Sequence, residues 1–307
     1  MNASIASKIE IDVLCIGGIN LDRKLKALHA LLSGSSNPCV ASESPGGVAR
    51  NVAENLARLG LRVGLCGQVG RDAAAEAVLA PLRALGVDTR ACLVAESGNT
   101  GSYTAVLDAQ GQLVMGMADM ALTEMLTPDL LAPLLSAQSP KLWMADMNLP
   151  ASSLAWLAQR TLGARLVMLA VSEPKMDRLP SDLRGVDTLV LNRGELAAIG
   201  FSENDMGSAF AKLHAAGLQR LVVTLGEQGV ACVEVGEVTH IKPELPANLQ
   251  VADVSGAGDA FCAGLCASYL RYPADALAQH AKRAMRLALL TVQSAQTVSP
   301  AITPDLI

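Results

Sequence analysis

Short apolar segments alternate along the chain with longer stretches in which apolar residues recur every three or four positions. The short segments predict buried strands at Val13–Ile16, Val63–Cys66, Leu142–Ala145, Leu166–Ala170, Thr188–Leu191 and Leu221–Leu225. The longer stretches predict helices at Gly47–Leu59, Ser152–Leu162, Gly194–Ile199, Gly207–Ala216, Asp259–Leu270 and Ala274–Val292. Pro81 interrupts a further helical pattern, Ala73–Leu85, which predicts a kink or two short helices there. The alternation is typical of an α/β fold in which helices cover both faces of a mostly parallel sheet.

Two segments depart from this alternation. The segment Asn20–Pro45 has a polar, turn-rich centre, and Thr100–Met120 predicts two strands, Ser102–Leu107 and Leu113–Met117, around a turn. We expect both segments to form a small β lid over the edge of the sheet. The chain is then a single domain over residues 1–307, with lid excursions at about 20–45 and 99–120.

The composition excludes several classes of protein. The chain has 307 residues, with 24 Lys and Arg against 29 Asp and Glu, and its net charge of −5 argues against binding to a nucleic-acid backbone. Hydrophobic residues make up 51% of the chain and aromatic residues only 3%, which favours an aliphatic core over base-stacking surfaces. The same balance excludes a disordered chain.

The chain also lacks the sequence signals of export. No apolar stretch reaches the roughly 18 residues that a membrane span needs, and Lys8, Glu10 and Asp12 precede any long apolar run, so we expect no signal peptide. Seven scattered cysteines do not form a disulfide framework, which favours a reducing cytoplasm. Cys262 and Cys266, four residues apart on a predicted helix, are either small buried thiols or part of a metal site.

The glycine-rich stretch Asp253-Val-Ser-Gly-Ala-Gly-Asp259 precedes an apolar helix. Gly256 and Gly258 allow a tight turn whose backbone N–H groups, with that of Ala257, meet at the positive end of the helix dipole and bind an anion such as phosphate. The stretch is not a Walker A loop, since no Gly-Lys-Ser/Thr follows, and Phe261 occupies the third glycine position of the dinucleotide fingerprint. An ordinary helix start with an acidic first turn explains the same residues.

Asp259 favours a catalytic interpretation of this turn. A carboxylate beside an anion site repels phosphate, which is unfavourable if the site only holds phosphate. The same carboxylate is useful if a hydroxyl group must lose its proton while it attacks a phosphoryl group. We therefore predict that Asp259 is a general base and that the turn stabilises the transferred phosphoryl group.

Five motifs, in this order, resemble those of the ribokinase-like (PfkB) carbohydrate kinases. They are Asn20-Leu-Asp22, Pro45-Gly-Gly-Val-Ala-Arg-Asn51, Asn192-Arg-Gly-Glu195, Thr224-Leu-Gly-Glu-Gln-Gly229 and Ser255-Gly-Ala-Gly-Asp259. Together the motifs span nearly the whole chain. The resemblance implies a ribokinase-like three-layer sandwich with a small β lid, and the transfer of phosphate from ATP to an alcohol group.

The resemblance places the acceptor site on the first two motifs. It implies that the acceptor's hydroxyl groups are bound by Asn20, Asp22, Gly46, Gly47 and Asn51. Arg50 stands where ribokinases proper carry a small residue. It either reaches a ligand or the phosphate region, as a further substrate-binding residue, or it is an Arg in a salt bridge or in solvent.

The resemblance also assigns the phosphate donor and its ions. ATP would be bound by Asn192, Thr224, Gly226 and Gly229. Glu195 would order water around Mg²⁺, an ion that keeps several of its waters, and Asn192 with Glu195 also fits a helix capping box. Asp253 and Ser255 resemble a K⁺ site beside the anion turn, although Asp253 could equally brace the turn.

Three stretches resemble the branch of the family that phosphorylates pseudouridine, namely Pro45–Asn51, Asn99–Met120 and Ala145–Asn148. A nucleoside is then the acceptor, and its base or ribose would contact Ser102, Asp119 and Asn148, each of which could instead be a turn residue at a strand end. Lys175 either approaches phosphate or pairs with a carboxylate. The family's lids also imply a homodimer.

The expected reaction is the ATP-dependent phosphorylation of the 5′-hydroxyl group of pseudouridine, with Asp259 as the base. Three alternatives stay open: a kinase of the same fold for another nucleoside or a free sugar, a non-catalytic sugar or nucleoside sensor, and a nucleotide-dependent oxidoreductase. The intact Asp259 disfavours a sensor. The missing fingerprint after the first strand disfavours an oxidoreductase.

Overall fold

A computed structural model describes residues 10–161, 163–246 and 249–307. The strands are β1 (Val13–Ile16), β2 (Asn20–Ala27), β3 (Cys39–Gly46), β4 (Val63–Val69), β5 (Asp88–Val94), β6 (Gly101–Leu107), β7 (Leu113–Asp119), β8 (Leu142–Asp146), β9 (Arg165–Leu169), β10 (Thr188–Asn192), β11 (Arg220–Thr224), β12 (Val230–Glu234) and β13 (Glu237–Ile241). The helices are α1 (Val48–Arg58), α2 (Ala73–Ala84), α3 (Ala121–Glu124), α4 (Pro128–Leu135), α5 (Ala151–Arg160), α6 (Arg193–Ala198), α7 (Met206–Ala215), α8 (Ala257–Arg271) and α9 (Leu277–Val292). Every predicted strand and helix is observed, with ends that differ by a few residues.

The main sheet has the strand order β13-β12-β11-β10-β9-β8-β1-β4-β5. The strands from β11 to β5 run parallel, and β12 and β13 add an antiparallel hairpin at the other edge. The parallel centre confirms the sequence prediction. The hairpin was not predicted, because β13 is exposed along most of its length and has no apolar run.

Helices cover both faces of this sheet. In β1, Val13 and Cys15 lie in one hydrophobic core and Leu14 and Ile16 in the other, as expected for the alternating side chains of a strand. The first core is filled by apolar residues of α1, α8 and α9, and the second by apolar residues of α4, α5 and α7. The three layers that the sequence predicted are therefore observed.

The lid is a separate small sheet with the order β3-β2-β6-β7. Both segments that departed from the alternation contribute to it, β2 and β3 from the first and β6 and β7 from the second. Strand β2 pairs with β3 in antiparallel and with β6 in parallel orientation, while β6 and β7 form a hairpin. The predicted β lid is confirmed.

Some expectations need correction or lie outside the described residues. Helix α2 continues through Pro81, so two short helices do not form there. Leu162, the predicted end of α5, and residues 1–9, on which the expected absence of a signal peptide partly rests, lie outside the described residues.

Two further expectations from the sequence concern metal sites and membrane-spanning helices. Cys262 and Cys266 are buried in the first core, and no group of three or more His, Cys, Asp or Glu side chains in the described part of the chain is arranged to hold a metal ion. Among the described helices, none has both the length and the apolar character to cross a bilayer.

Candidate active site

The predicted motifs meet at the carboxyl end of the parallel strands. Gly17 and Gly18 follow β1, and Asp146 ends β8. Asn192 and Thr224 end β10 and β11, where they are paired in register. Ligands of open α/β sheets bind at this end of the strands.

Asp146 joins three segments of this end of the sheet. Its Oδ2 accepts hydrogen bonds from the backbone N–H groups of Gly18 at 2.9 Å and Ala49 at 2.7 Å, and its Oδ1 accepts one from Asn148 at 2.8 Å. A Cβ at Gly17 would lie 2.4 Å from this carboxylate, so a larger residue does not fit. Burial raises the pKa of Asp146, and the three N–H groups partly offset that effect. Asp146 thus fixes the turn after β1 against the start of α1.

Four of the predicted acceptor-binding residues lie together at the base of the lid, namely Asn20, Asp22, Gly46 and Gly47. Asn20 donates from Nδ2 to Asp22 Oδ1. Gly46 is paired with Asn20 across β2 and β3, and a Cβ there would lie 2.4 Å from the Asp22 carboxylate. Gly47 has a φ of 99°, and a Cβ there would lie 2.4 Å from the carbonyl oxygen of Gly18. Both glycines are needed for this close approach.

Asp259 lies in the first turn of α8. Gly256 caps this helix with a φ of 77°, and a Cβ there would lie 2.1 Å from the carbonyl oxygen of Thr297. The Ala257 N–H donates to the carbonyl oxygen of Val254 at 3.3 Å, contrary to its predicted place in the anion turn. The first N–H groups of a helix have no acceptor within it, so those of Gly258 and Asp259 form the positive end at which an anion is stabilised. The predicted anion turn is therefore the first turn of the helix itself.

The Asp259 carboxylate contacts the second motif. Asn51 donates from Nδ2 to Asp259 Oδ2 at 2.9 Å. Burial raises the pKa of Asp259 to about 7, the charges of Asp146 and Asp22 add to this effect, and the Asn51 hydrogen bond and the Arg50 charge oppose it. The residue as a whole is half-buried. A carboxyl group with this pKa is suited to act as a general base near neutral pH.

Asp22 is another carboxyl group with a raised pKa in the cleft, beside Asp146 and Asp259. Burial raises its pKa to about 6, against the opposing effects of Asn20, Lys24 and Arg50. It therefore changes charge in a pH range just below that of Asp259.

Arg50 is buried, with only 2% of its surface exposed. It forms an ion pair with Glu54, one helical turn later, and the same carboxylate pairs with Arg58. Its NH1 donates to Asn51 Oδ1 at 2.9 Å. Of the two roles that the sequence left open, the structure shows the salt bridge.

Asn192 and Glu195 form the capping box that the sequence allowed. Asn192 Oδ1 accepts from the Glu195 N–H at 2.9 Å, and Glu195 Oε2 accepts from the Asn192 N–H at 2.7 Å. Burial raises the pKa of Glu195, and the nearby charge of Glu173 adds to it. Glu173 also lies against Gly194, where a Cβ would be 2.2 Å from its Oε1. Two neighbouring carboxylates fit Mg²⁺, which binds proteins through one or two carboxylates together with phosphate and water.

Thr224, Gly226 and Gly229 form the turn after β11. Gly226 and Gly229 have φ values of 62° and 93°, a conformation that favours glycine. A Cβ at Gly229 would lie 2.1 Å from the carbonyl oxygen of Ile241, whereas one at Gly226 would meet no atom within 4 Å. Gly229 thus closes the turn against β13, and Gly226 leaves open space beside Thr224.

Asp253 already has two partners beside the anion turn. One carboxylate oxygen accepts from the Ser255 N–H at 2.9 Å, and the other forms an ion pair with Nζ of Lys24 on the lid strand β2. The carboxylate therefore braces the turn and is neutralised by an ammonium group. The structure shows the bracing role predicted for Asp253, and K⁺ binding by Asp253 and Ser255 stays a prediction.

The strand register separates the lid residues into two faces. Asp22 is paired with Tyr103, whereas Ser102 is paired with Leu21 and with Asp119. Because paired residues share a face and successive residues alternate, Tyr103 lies on the face of Asp22. Ser102 and Asp119 lie beside each other on the opposite face, which does not support the predicted contacts of these two residues with the acceptor.

Asn148 lies on the cleft side of the main sheet, after β8. Its Oδ1 accepts a hydrogen bond from Lys175 Nζ at 2.5 Å, and a Cβ at Gly18 would lie 2.9 Å from its Nδ2. Burial lowers the pKa of Lys175, and the charge of Arg178 adds to this effect. Lys175 therefore pairs with an amide oxygen here, which neither of its predicted roles anticipated.

Sequence reasoning assigned no role to four residues of this cleft, Lys24, Tyr103, Asp146 and Glu173. Asp146 carried the one usable signal, since it is an acidic residue at the carboxyl end of a predicted strand. Lys24 and Glu173 act through contacts with residues distant in sequence, which no local pattern reveals.

Comparison with known proteins agrees with this geometry. The chain matches the family model described as pfkB family carbohydrate kinase over residues 10–304. It is 32% identical over 263 residues to the pseudouridine kinase of Escherichia coli (strain K12), covering 84% of this chain and 83% of that protein.

Solved structures share the fold. A carbohydrate kinase from Agrobacterium tumefaciens has a TM-score of 0.81 at 31% identity, covering 96% of this chain and 94% of that chain. The ribokinase of Arabidopsis thaliana, complexed with ribose and ATP, has a TM-score of 0.81 at 19% identity, covering 97% of this chain and 99% of that chain. The ribokinase-like fold is thereby confirmed. The chain belongs to the pfkB family of carbohydrate kinases, and it is a phosphotransferase that acts on an alcohol group of a sugar or nucleoside.

Proposed function

We propose that this kinase phosphorylates the 5′-hydroxyl group of pseudouridine, with ATP as the phosphate donor. The observation that carries the catalytic part is the position of Asp259, a half-buried residue in the first turn of α8 whose carboxylate is bonded to Asn51. The substrate rests on the 32% identity to a pseudouridine kinase and on the three stretches that resemble that branch of the family.

In the proposed reaction Asp259 accepts the proton of the 5′-hydroxyl group while that oxygen forms a bond to the γ-phosphorus of ATP. The bond from this phosphorus to the oxygen bridging to the β-phosphate breaks, and ADP leaves with the electron pair. The N–H groups of Gly258 and Asp259, after the capping Gly256, stabilise charge on the transferred phosphoryl group. A general base of this kind contributes about 10²–10⁴-fold to the rate.

The ribose would be oriented by the base of the lid. Asp22 accepts hydrogen bonds from vicinal hydroxyl groups, and Asn20 and Asn51 offer amide groups to the same diol. Gly46 and Gly47 allow the ribose to approach the backbone closely, because any side chain there would collide with Asp22 or Gly18.

The base of the nucleoside would meet polar groups on both sides of the cleft. Asn148, held by Lys175, offers its amide nitrogen from the main sheet. Tyr103 offers its hydroxyl from the lid face that also carries Asp22. Pseudouridine presents one more N–H group than uridine, so a site that bonds this group discriminates between the two isomers. The lid above them would exclude water from the phosphoryl transfer.

The donor side would be formed by Asn192, Thr224, Gly226 and Gly229, at the ends of β10 and β11. Glu195, together with Glu173, would hold Mg²⁺ through water. When bound, this ion neutralises charge on the phosphates.

We further propose that the lid pairs with a second copy of the chain. Strand β7 is the outer strand of the lid sheet in the described residues, and Leu113, Val114, Met115 and Met117 are each more than half exposed. An unpaired apolar edge strand favours association with another chain.

The substrate is tested by measuring ADP release with pseudouridine, uridine, adenosine, inosine, ribose and fructose as acceptors, and with Asp259→Asn as the inactive control. The proposal expects the highest kcat/KM with pseudouridine. A clear preference for uridine or a free sugar would overturn the substrate and leave the kinase assignment intact.

A further inference from the structure

Arg50 is an unusual residue for a helix that packs against the core. It lies at the third position of α1 with 2% of its surface exposed, and its Nε has no hydrogen-bond partner among the described residues. A buried guanidinium with an unpaired N–H group is unfavourable for stability even when it forms an ion pair. The stability of the fold therefore does not account for it.

The contacts of Arg50 determine how the Asn51 side chain is oriented. A guanidinium group can only donate hydrogen bonds, so the Asn51 atom that faces Arg50 NH1 at 2.9 Å must be the acceptor Oδ1. This leaves Nδ2 facing Asp259 Oδ2, also at 2.9 Å. A flipped amide would place two donors together at Arg50 and two acceptors together at Asp259. Arg50 and the Asp259 carboxylate thus exclude the flipped orientation together.

We propose that Arg50 is a positioning residue that acts through Asn51: it holds the amide nitrogen of Asn51 on the carboxylate of the catalytic base and does not bind the substrate. The proposal rests on the proposed function, because Asp259 must be the base. It replaces the substrate-binding role that the sequence had allowed for Arg50. The ion pair with Glu54, one turn along α1, holds the guanidinium in place.

The charges around Asp259 indicate what this positioning does. Burial raises the pKa of Asp259, and Asp22 from β2 and Asp146 from β8 add to that effect. The opposing groups both belong to α1, namely the Asn51 amide and the Arg50 guanidinium. On its own helix α8, Asp259 faces the thiol of Cys262. Loss of Arg50 therefore removes its stabilising charge and one of the two partners that orient the Asn51 amide, and the base ionises only at higher pH.

Two variants separate this role from simple loss of the ion pair. Arg50→Lys keeps a positive charge beside Glu54 but lacks the forked group that bonds Glu54 and Asn51 together. The double variant Arg50→Met with Glu54→Met replaces the buried pair by apolar side chains, a change that protein folds often tolerate.

Arg58→Met is the matched control. Arg58 bonds the same Glu54 carboxylate through Nε at 2.9 Å and NH2 at 2.7 Å, and neither its hydrogen bonds nor its ion pair involve Asn51 or Asp259. Any effect that comes only from weakening the ion pairs of Glu54 appears in this control. All proteins are assayed with the same substrates. Ionisation of ATP therefore affects every pH profile equally and cannot cause a difference between the wild type and a variant.

The measurement is the pH dependence of kcat/KM for each protein. In the double variant we expect the acidic limb to move to higher pH by about one unit, which is a loss of about tenfold on that limb. Arg50→Lys should show a smaller shift in the same direction, because the charge remains. KM for the nucleoside at high pH should stay close to that of the wild type, and Arg58→Met should keep the wild-type limb.

Three results would overturn the proposal. One is an unshifted limb in both Arg50 variants, and another is an equal shift in Arg58→Met. The third is a rise in KM at all pH values without a shift, which would indicate substrate binding instead. Failure of the proposed function itself would be distinguishable, because the wild type would then show no acceptor-dependent release of ADP.

Discussion

Asn51 and Asp259 are 208 residues apart in sequence, yet Asn51 Nδ2 lies 2.9 Å from Asp259 Oδ2. This hydrogen bond joins the start of α1 to the start of α8, and with it the motif after the lid strand β3 to the anion turn. In the proposed reaction, the group that contacts the acceptor and the group that accepts its proton are thereby held at a fixed distance. Such positioning supplies much of the rate of a phosphoryl transfer, in which the protein does little covalent chemistry itself.

The pH dependence of kcat/KM in the wild type is expected to follow the ionisation of Asp259 and Asp22. Burial raises the pKa of Asp259 to about 7 and that of Asp22 to about 6. Because the base must be ionised, we expect kcat/KM to fall as the pH decreases through about 7, and to fall more steeply once Asp22 is protonated near 6. A profile at saturating Mg²⁺ and ATP that stays flat across this range would contradict the assignment.

Gly46→Ala should impair acceptor binding specifically. The added Cβ would lie 2.4 Å from the Asp22 carboxylate, so this side chain or strand β3 must move. We expect KM for the nucleoside to rise by about tenfold, in line with the roughly 1–3 kcal/mol that overpacking costs, while KM for ATP changes little. Gly207→Ala in α7 is the control, since its Cβ would meet no atom within 4 Å. An unchanged KM for the nucleoside would count against Asp22 as a ligand of the ribose.

Lys24→Met should weaken the binding of ATP. Lys24 neutralises Asp253, whose carboxylate braces the anion turn, so its loss leaves an unpaired negative charge beside the phosphate site. We expect KM for ATP to rise a few-fold, as for a partly exposed ion pair, and K⁺ to restore activity in the variant more than in the wild type.

Lys26→Met is the control for this prediction, because Lys26 lies two residues further along the same strand and forms no ion pair in the described ranges. Equal effects of the two substitutions, or no effect of either, would show that the ion pair does not support the phosphate site.

Met117→Asp should dissociate the proposed dimer. Met117 on β7 has 61% of its surface exposed, and a carboxylate there would be unfavourable in an apolar interface. Light scattering during size exclusion should give a dimer for the wild type and a monomer for the variant. Val235→Asp, in the exposed turn between β12 and β13, should remain dimeric. A wild type that is monomeric at micromolar concentration would refute this part of the account.

The sequence predicted most of the strands and helices that form the cleft, but it did not predict on which face of the lid sheet a residue lies. Alternation of apolar segments was sufficient for six of the seven parallel strands, but β5 was not predicted. Local rules of turns and helix starts identified Asp259, whereas Asp22 and Gly46 were assigned from the resemblance to the family's motifs. In the lid, β6 and β7 were predicted as strands, whereas β2 and β3 were expected only as part of a small β layer. Which face Ser102 and Asp119 occupy depends on the register between β2 and β6, and this pairing is not encoded locally.

Contacts between distant segments were the other limit of prediction. Lys24 and Asp253 are 229 residues apart, and Asp146 acts through backbone N–H groups of Gly18 and Ala49 that any residue type could supply. Arg50 was noticed as unusual, but its burial and its contact with Asn51 depend on how α1 packs. None of these relationships leaves a periodic or compositional trace in the sequence.

Turnover of Asp259→Asn, measured with pseudouridine and ATP beside direct binding of both ligands, tests the central claim. Asparagine has nearly the same size as aspartate and keeps the first turn of α8, but it cannot accept the proton of the hydroxyl group. The account predicts that kcat falls by about 10²–10⁴-fold, while the affinities for nucleoside and nucleotide stay within a few-fold of the wild type. A variant that binds both ligands and retains a substantial part of the wild-type kcat would contradict Asp259 as the base.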